Sequence, residues 1–161
     1  MQAEIRTIQE KKLLGRSLRM TLADDKTAVL WRSFMPKRIE IQHPLNQDLI
    51  SLQEYPEDYF INDFDPQAFF TKWALTEVGN YNELPMDLEP YLLPGGLYAV
   101  FIHKGGPAKA AETFNYIFNE WLPVSGYELD TRPHFEVLGE KYRGDHPDSE
   151  EEIFIPLRQI S

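Results

Sequence analysis

Apolar and polar positions alternate in steps of two over residues 150–157. In a strand, Ile153, Ile155 and Leu157 would then share one face, and Glu152, Phe154 and Pro156 the other. The first face reads as core. The second sets a lone carboxylate two residues from an aromatic, ahead of a proline that ends the strand or places it at an edge. The same alternation predicts one or two strands over residues 4–22 around Gly15, with Leu18, Met20 and Leu22 set against Ser17, Arg19 and Thr21. Further strands are predicted over residues 49–55, stopped by Pro56, and over residues 69–78. In the latter, Trp73, Leu75 and Glu77 lie on one side and Ala74, Thr76 and Val78 on the other. Residues 97–103, opened by Gly95-Gly96, and residues 134–138 complete the set of strands.

Two stretches change period. Residues 27–35 place Ala28, Trp31 and Met35 on one helical face, with Asp24 and Asp25 offered as N-caps and Pro36 as the stop. After Gly105-Gly106, Pro107 stands at a first helical position. Ala110, Ala111, Phe114, Ile117, Phe118 and Trp121 then form an apolar stripe wide enough to predict a helix buried along its length, closed by Pro123 and Gly126. Residues 57–66, with four acids and a proline, read as a surface loop, and the proline-rich residues 79–94 as a connection.

Each half therefore reads strand, helix, strand, strand, over about residues 1–80 and 95–161 of one domain spanning 1–161. The expected class is α+β, a duplicated β-α-β-β repeat. One helix per unit covers one side of the sheet, which leaves a concave cleft on the other side. Parity packs Ile153, Ile155 and Leu157 under Phe114, Phe118 and Trp121, and turns Glu152 and Phe154 toward the concavity. Trp73 and Glu77 are candidate counterparts from the first half, although apolar residues on both faces of that strand leave the direction of Trp73 open. Tyr98 is a further candidate wall residue, whereas Glu136, alternating with Phe135 and Val137, reads as solvent-exposed, with the cleft as its alternative.

Charge narrows the partners. Twenty-six acidic against sixteen basic residues give a formal net charge of −10, which opposes docking on a phosphate backbone. The first residues lack the apolar region of a signal peptide, and the apolar run 97–102 is too short to span a bilayer, so a cytoplasmic protein without a membrane partner is expected. The chain has no cysteine, and its four histidines show no ligand spacing, so neither a metal nor a cofactor is expected. No phosphate-binding loop and no Gly-x-Ser-x-Gly elbow is present.

Six segments in order carry a family resemblance. They are Leu30-Trp31-Arg32-Ser33-Phe34-Met35-Pro36 with Lys72-Trp73-Ala74-Leu75-Thr76-Glu77-Val78, the run from Gly95 to Pro107, Glu120-Trp121-Leu122-Pro123-Val124-Ser125-Gly126-Tyr127-Glu128, Arg132-Pro133-His134-Phe135-Glu136, and Glu152-Ile153-Phe154-Ile155-Pro156. Together they resemble the GyrI-like small-molecule-binding domain, also the effector-binding domain of AraC-type and multidrug-sensing regulators. The resemblance implies a ligand cleft between repeats. It also implies a glutamate four residues before the last strand's proline, here Glu152, that attracts cationic aromatic ligands from the cleft floor. Some stand-alone members are hydrolases that open strained cyclopropanes, for which Glu152 and Glu77 would be the catalytic candidates. The family name further implies a protein partner, gyrase or a regulator. The leading expectation is a binding protein for a hydrophobic, cationic or electrophilic xenobiotic, with Glu152 and Glu77 as acids and Trp73, Tyr98 and Phe154 as walls. The alternatives are a hydrolase of strained electrophiles and a gyrase-inhibitor-like factor.

Overall fold

The structure, a computed structural model, describes residues 1–160. In chain order its elements are β1 (Glu4–Ile8), β2 (Lys11–Thr21), α1 (Thr27–Arg38), β3 (Leu49–Glu54), β4 (Phe69–Glu77), β5 (Glu89–Leu93), β6 (Gly96–Lys104), α2 (Ala110–Asn115), β7 (Tyr127–Leu129), β8 (His134–Leu138) and β9 (Glu150–Gln159). A 3-10 turn at Pro107–Lys109 leads into α2, a π-helical turn at Tyr116–Trp121 follows it, and a second 3-10 turn ends the stretch at Leu122–Val124. The class is α+β, as expected. Among the described residues no helix is long and apolar enough to cross a membrane.

Among the described residues, nine strands form one antiparallel sheet in the order β1-β6-β9-β8-β3-β4-β2-β5, with β7 pairing β9 where β8 has ended. The first half contributes β3-β4-β2 and the second β8-β9-β6. The two sets meet at β3 and β8, where Leu52 stands opposite Phe135 and Ser51 opposite Glu136.

Both helices cover the same side of the sheet, each over its own half. Leu30 and Phe34 of α1 pack on Leu14, Ala74 and Val78. Ile117 packs on Ala99, Phe101, Ile153, Ile155 and Leu157, flanked by Phe114, Phe118 and Trp121 as parity predicts. The middle strands, β3 and β8, lie between the helices.

The opposite side is filled. Leu13, Ile50, Leu52, Trp73, Leu75, Tyr98, Phe135 and Phe154 form a second core there. The sheet curls over this core until its ends approach, since only two residues separate Ile8 at the end of β1 from Lys11, which pairs with Leu93 of β5. Ile8 from β1 and Tyr91 from β5 close the core from those two ends. The concave cleft expected on this side is therefore not open, because the curl brings side chains of distant strands into contact across it.

Several local expectations shift for identifiable reasons. Helix α1 buries Leu30 and Phe34 rather than Ala28 and Met35, since its axis sets the i, i+4 pair against β2 and β4. It also runs past Pro36, a residue that forbids only its own backward hydrogen bond and so can sit in a last turn. Asp25 supports the helix start from two residues away, accepting hydrogen bonds from the Thr27 amide at 2.8 Å and the Thr27 hydroxyl at 2.6 Å. The proline-rich connection contains β5, an edge strand on which Pro90 is tolerated.

Pro156 lies inside β9 rather than ending it. Its carbonyl accepts from the Asp130 amide at 3.0 Å, so its missing N–H would point the same way, into the gap between β8 and β7. Gly15 likewise interrupts nothing. It sits mid-strand between β4 and β5, where a Cβ would overlap the Ala74 carbonyl. Gly15→Ala is expected to cost about 1–3 kcal/mol through overpacking, read as a lower urea midpoint with an unchanged slope.

Candidate functional site

The open space lies on the helix side, in a groove of about 810 Å³ between α1 and α2 over the middle of the sheet. Strand parity decides what its floor contains. Phe135 of β8, Leu52 of β3 and Trp73 of β4 all enter the filled core, so their neighbours His134, Glu136, Gln53 and Lys72 point the other way, into the groove. Phe114 and Phe118 supply one wall. The stretch after β3 supplies another through Tyr55, Tyr59, Phe60 and Phe64.

Glu136 carries the electrostatics. The residue as a whole keeps some solvent contact, but its Oε2 is sealed from water and has no hydrogen-bond partner among the described residues. Burial pushes its carboxyl up to about 7, opposed by the positive charge of Lys72 and by the neighbouring Gln53 amide, which approaches the carboxyl without reaching the sealed Oε2, and reinforced by Glu151. Lys72 itself is held at the far side. Its Nζ donates to Thr27 Oγ1 at 3.1 Å, and that hydroxyl donates onward to Asp25 Oδ1 at 2.6 Å.

The aromatic wall is continuous. The Phe60 ring stacks on His134, with centroids 5.2 Å apart, and on Phe118 at 5.6 Å, while Tyr55 meets His134 edge-on at 4.9 Å. Burial drops His134 to about 3, so its imidazole is neutral at physiological pH and behaves as another flat ring. Burial, then the nearby Glu136 charge, raises the Tyr55 phenol far above its ordinary range and keeps it a neutral O–H donor.

The candidates singled out from the sequence lie elsewhere. Trp73, Tyr98 and Phe154 do come together, but as packed core. Trp73 Nε1 donates to Glu54 Oε1 at 2.6 Å, the Arg132 guanidinium covers the Tyr98 ring at 4.6 Å, and Phe154 stacks on Phe135 at 4.4 Å. Of the five candidates, Phe154 alone borders the groove. Glu152 is on the side away from the helices and pairs with Arg6 at 3.3 Å, its side chain about one-third exposed. Glu77 pairs with Lys11 at 3.5 Å and accepts from Asn46 Nδ2 at 3.4 Å. The structure does not bring the two acids together in one cavity.

Glu136, which sequence reasoning ranked as exposed ahead of cleft-facing, and the aromatics of residues 55–64, which it passed over, complete the groove. The first was detectable once Phe135 is taken as core, because the residue after a core position must face the opposite side. The second was detectable as four aromatic rings inside an otherwise acidic stretch.

A known family model, described as the GyrI-like small molecule binding domain, matches this chain over residues 1–158. The chain belongs to the GyrI-like family. Among curated relatives of this GyrI-like domain is the transcriptional regulator BrlR of Pseudomonas aeruginosa, 28% identical over 134 residues, which are 83% of this chain and 47% of that protein. The chain thus spans about half the length of the curated relative it matches. Among solved structures, SAV2435 bound to tetraphenylphosphonium superimposes with a TM-score of 0.75 at 13% identity, covering 98% of this chain and 94% of that one. The EcmrR C-terminal domain gives 0.72 at 15%, covering 99% and 98%. A hydrolase encoded by lin2189 from Listeria innocua gives 0.61 at 10%, covering 97% and 91%. At these identities the structural likeness establishes the shared fold of GyrI-like domains.

The raised Glu136 carboxyl couples stability to pH. Between the ordinary value of 4.5 and about 7, the folded domain keeps a proton that the unfolded chain has released, so this contribution to stability falls as pH rises and is fully lost above about 7. Glu136→Gln, neutral throughout, should flatten that slope and be the more stable protein at pH 8 by on the order of 1–3 kcal/mol, measured by urea unfolding at pH 5, 6.5 and 8.

Proposed function

We propose that this GyrI-like domain binds hydrophobic organic cations in the groove between its helices, with Glu136 as the charge they meet. The observation that carries this reading is the sealed, unpartnered Glu136 Oε2 in an aromatic-walled groove. An ionised carboxylate without a partner is costly in such a place. An arriving cation supplies that partner and gains roughly 2 kcal/mol more from ring faces when desolvated. The rings of Tyr55, Tyr59, Phe60, Phe114 and Phe118 offer such faces. That SAV2435, a protein of the same fold, is seen with tetraphenylphosphonium supports a lipophilic cation as the ligand class.

The expectation from sequence, with Glu152 as the charged floor, enters the same experiment. Titrating tetraphenylphosphonium into wild type, Glu136→Gln and Glu152→Gln should weaken binding at least about tenfold in the first variant and leave the second near wild type. The opposite pattern would return the role to Glu152 and reject Glu136. Because a bound cation favours the ionised acid, wild-type affinity should also rise between pH 6 and 8, with proton uptake by the buffer near pH 6.5. Glu136→Gln should show neither effect.

A second reading, hydrolysis of strained electrophiles, has one observation in its favour: a carboxyl balanced near neutrality can act as general acid or base. Incubation with a cyclopropane-bearing alkylator should then yield a ring-opened product carrying the elements of one water, detected by mass spectrometry and lost in Glu136→Gln. Unchanged alkylator would eliminate this reading and leave binding intact.

A further inference from the structure

The floor of the groove is dipolar, and this goes further than a single acid. Lys72 and Glu136 both face the helices, on β4 and β8, with β3 between them. Lys72 is opposite Gln53 on β3, Gln53 is opposite His134, and Glu136 lies two residues beyond His134. Strand spacing and rise then place their Cα atoms roughly 12 Å apart, enough for a ring system to lie between the two charged groups.

The two charges do not neutralise each other. No carboxylate lies within ion-pair distance of the Lys72 ammonium among the described residues, and its hydrogen bond goes to the neutral Thr27 hydroxyl at 3.1 Å. Thr27 Oγ1 has spent its own proton on Asp25 Oδ1, so it can only accept from Lys72. This fixes the ammonium at the α1 side of the groove, near the start of that helix, where the amide dipoles make a positive charge less welcome and an anion more so. Glu136, at the other side, has a sealed oxygen without a partner. A simple cation meets Glu136 and leaves Lys72 with only the Thr27 hydroxyl and, through it, the more distant Asp25 carboxylate.

Resting on the reading of the groove as a cation site, we propose that its preferred ligands are aromatic zwitterions, with a cationic nitrogen directed to Glu136 and a carboxylate directed to Lys72. Lys72 is then the residue that sets specificity among cations. Esterifying the ligand's carboxylate removes its partner for Lys72 and leaves a net cation facing a lysine across the groove.

Rhodamine B, which carries a carboxylate at neutral pH, and its ethyl ester, a plain cation of nearly the same shape, isolate that group. Fluorescence anisotropy with the full chain should show rhodamine B binding on the order of tenfold tighter than the ester. Lys72→Met should abolish the preference by bringing rhodamine B affinity down to that of the ester, and Lys72→Arg should keep the preference. Equal or tighter ester binding by wild type, a preference that survives Lys72→Met, or no binding of either dye would each overturn the proposal. Glu136→Gln separates the two readings. If it leaves ester affinity unchanged while the Lys72-dependent preference persists, the role of Glu136 fails and the role of Lys72 stands.

Discussion

The register between β8 and β9 is the constraint on which the rest of this structure depends. Phe135 stands opposite Phe154, and the two rings stack nearly parallel at 11° inside the core on the helix-free side. A slip of β8 by one residue would turn Phe135 to the helices and drive Glu136 into that core. Burying an unpaired carboxylate in an aliphatic interior is far costlier than any rearrangement of surface residues. The stacked pair thus holds the register, and the register sends Glu136 to the groove. A packing contact on one side of the sheet determines the chemistry on the other.

The two layers of core divide the work unevenly. On the helix-free side the curl of the sheet brings Ile8 of β1 and Tyr91 of β5 onto the core of Tyr98, Trp73 and Phe135, and Arg132 ties the neighbouring strands β6 and β9 by donating to the carbonyls of Leu97 at 2.8 Å and Leu157 at 2.7 Å. On the helix side each half has a smaller core of its own beneath its helix. The strands between those cores have no helix above them. The groove is therefore where two short helices fail to cover a sheet of this width.

Much of the fold was legible because period-two alternation is strong in β9, because the uninterrupted apolar run of β6 marks a strand buried on both faces, and because the pairing of Ile153, Ile155 and Leu157 with the second helix follows from parity alone. The side on which the ligand space lies was not legible in the same way. Parity gives relative faces, but it does not say that the sheet curls until one face closes, since that depends on Ile8 of β1 and Tyr91 of β5, far apart in sequence, reaching one core. The wide stripe on the second helix was read as deep burial for the same reason. Phe114 and Phe118 are half-buried, their outer faces lining the groove. Glu136 was misjudged as exposed because a single acid between apolar neighbours looks identical from sequence whether it faces water or a cavity.

The aromatic wall from Tyr55 to Phe64 is carried by a segment that, beyond β3, pairs with no strand and enters none of the three buried cores. Substitutions there cost the framework little, whereas substitutions on the floor disturb the sheet. A change in this one stretch would therefore reshape the wall of the groove while leaving in place the scaffold that orients Glu136 and Lys72.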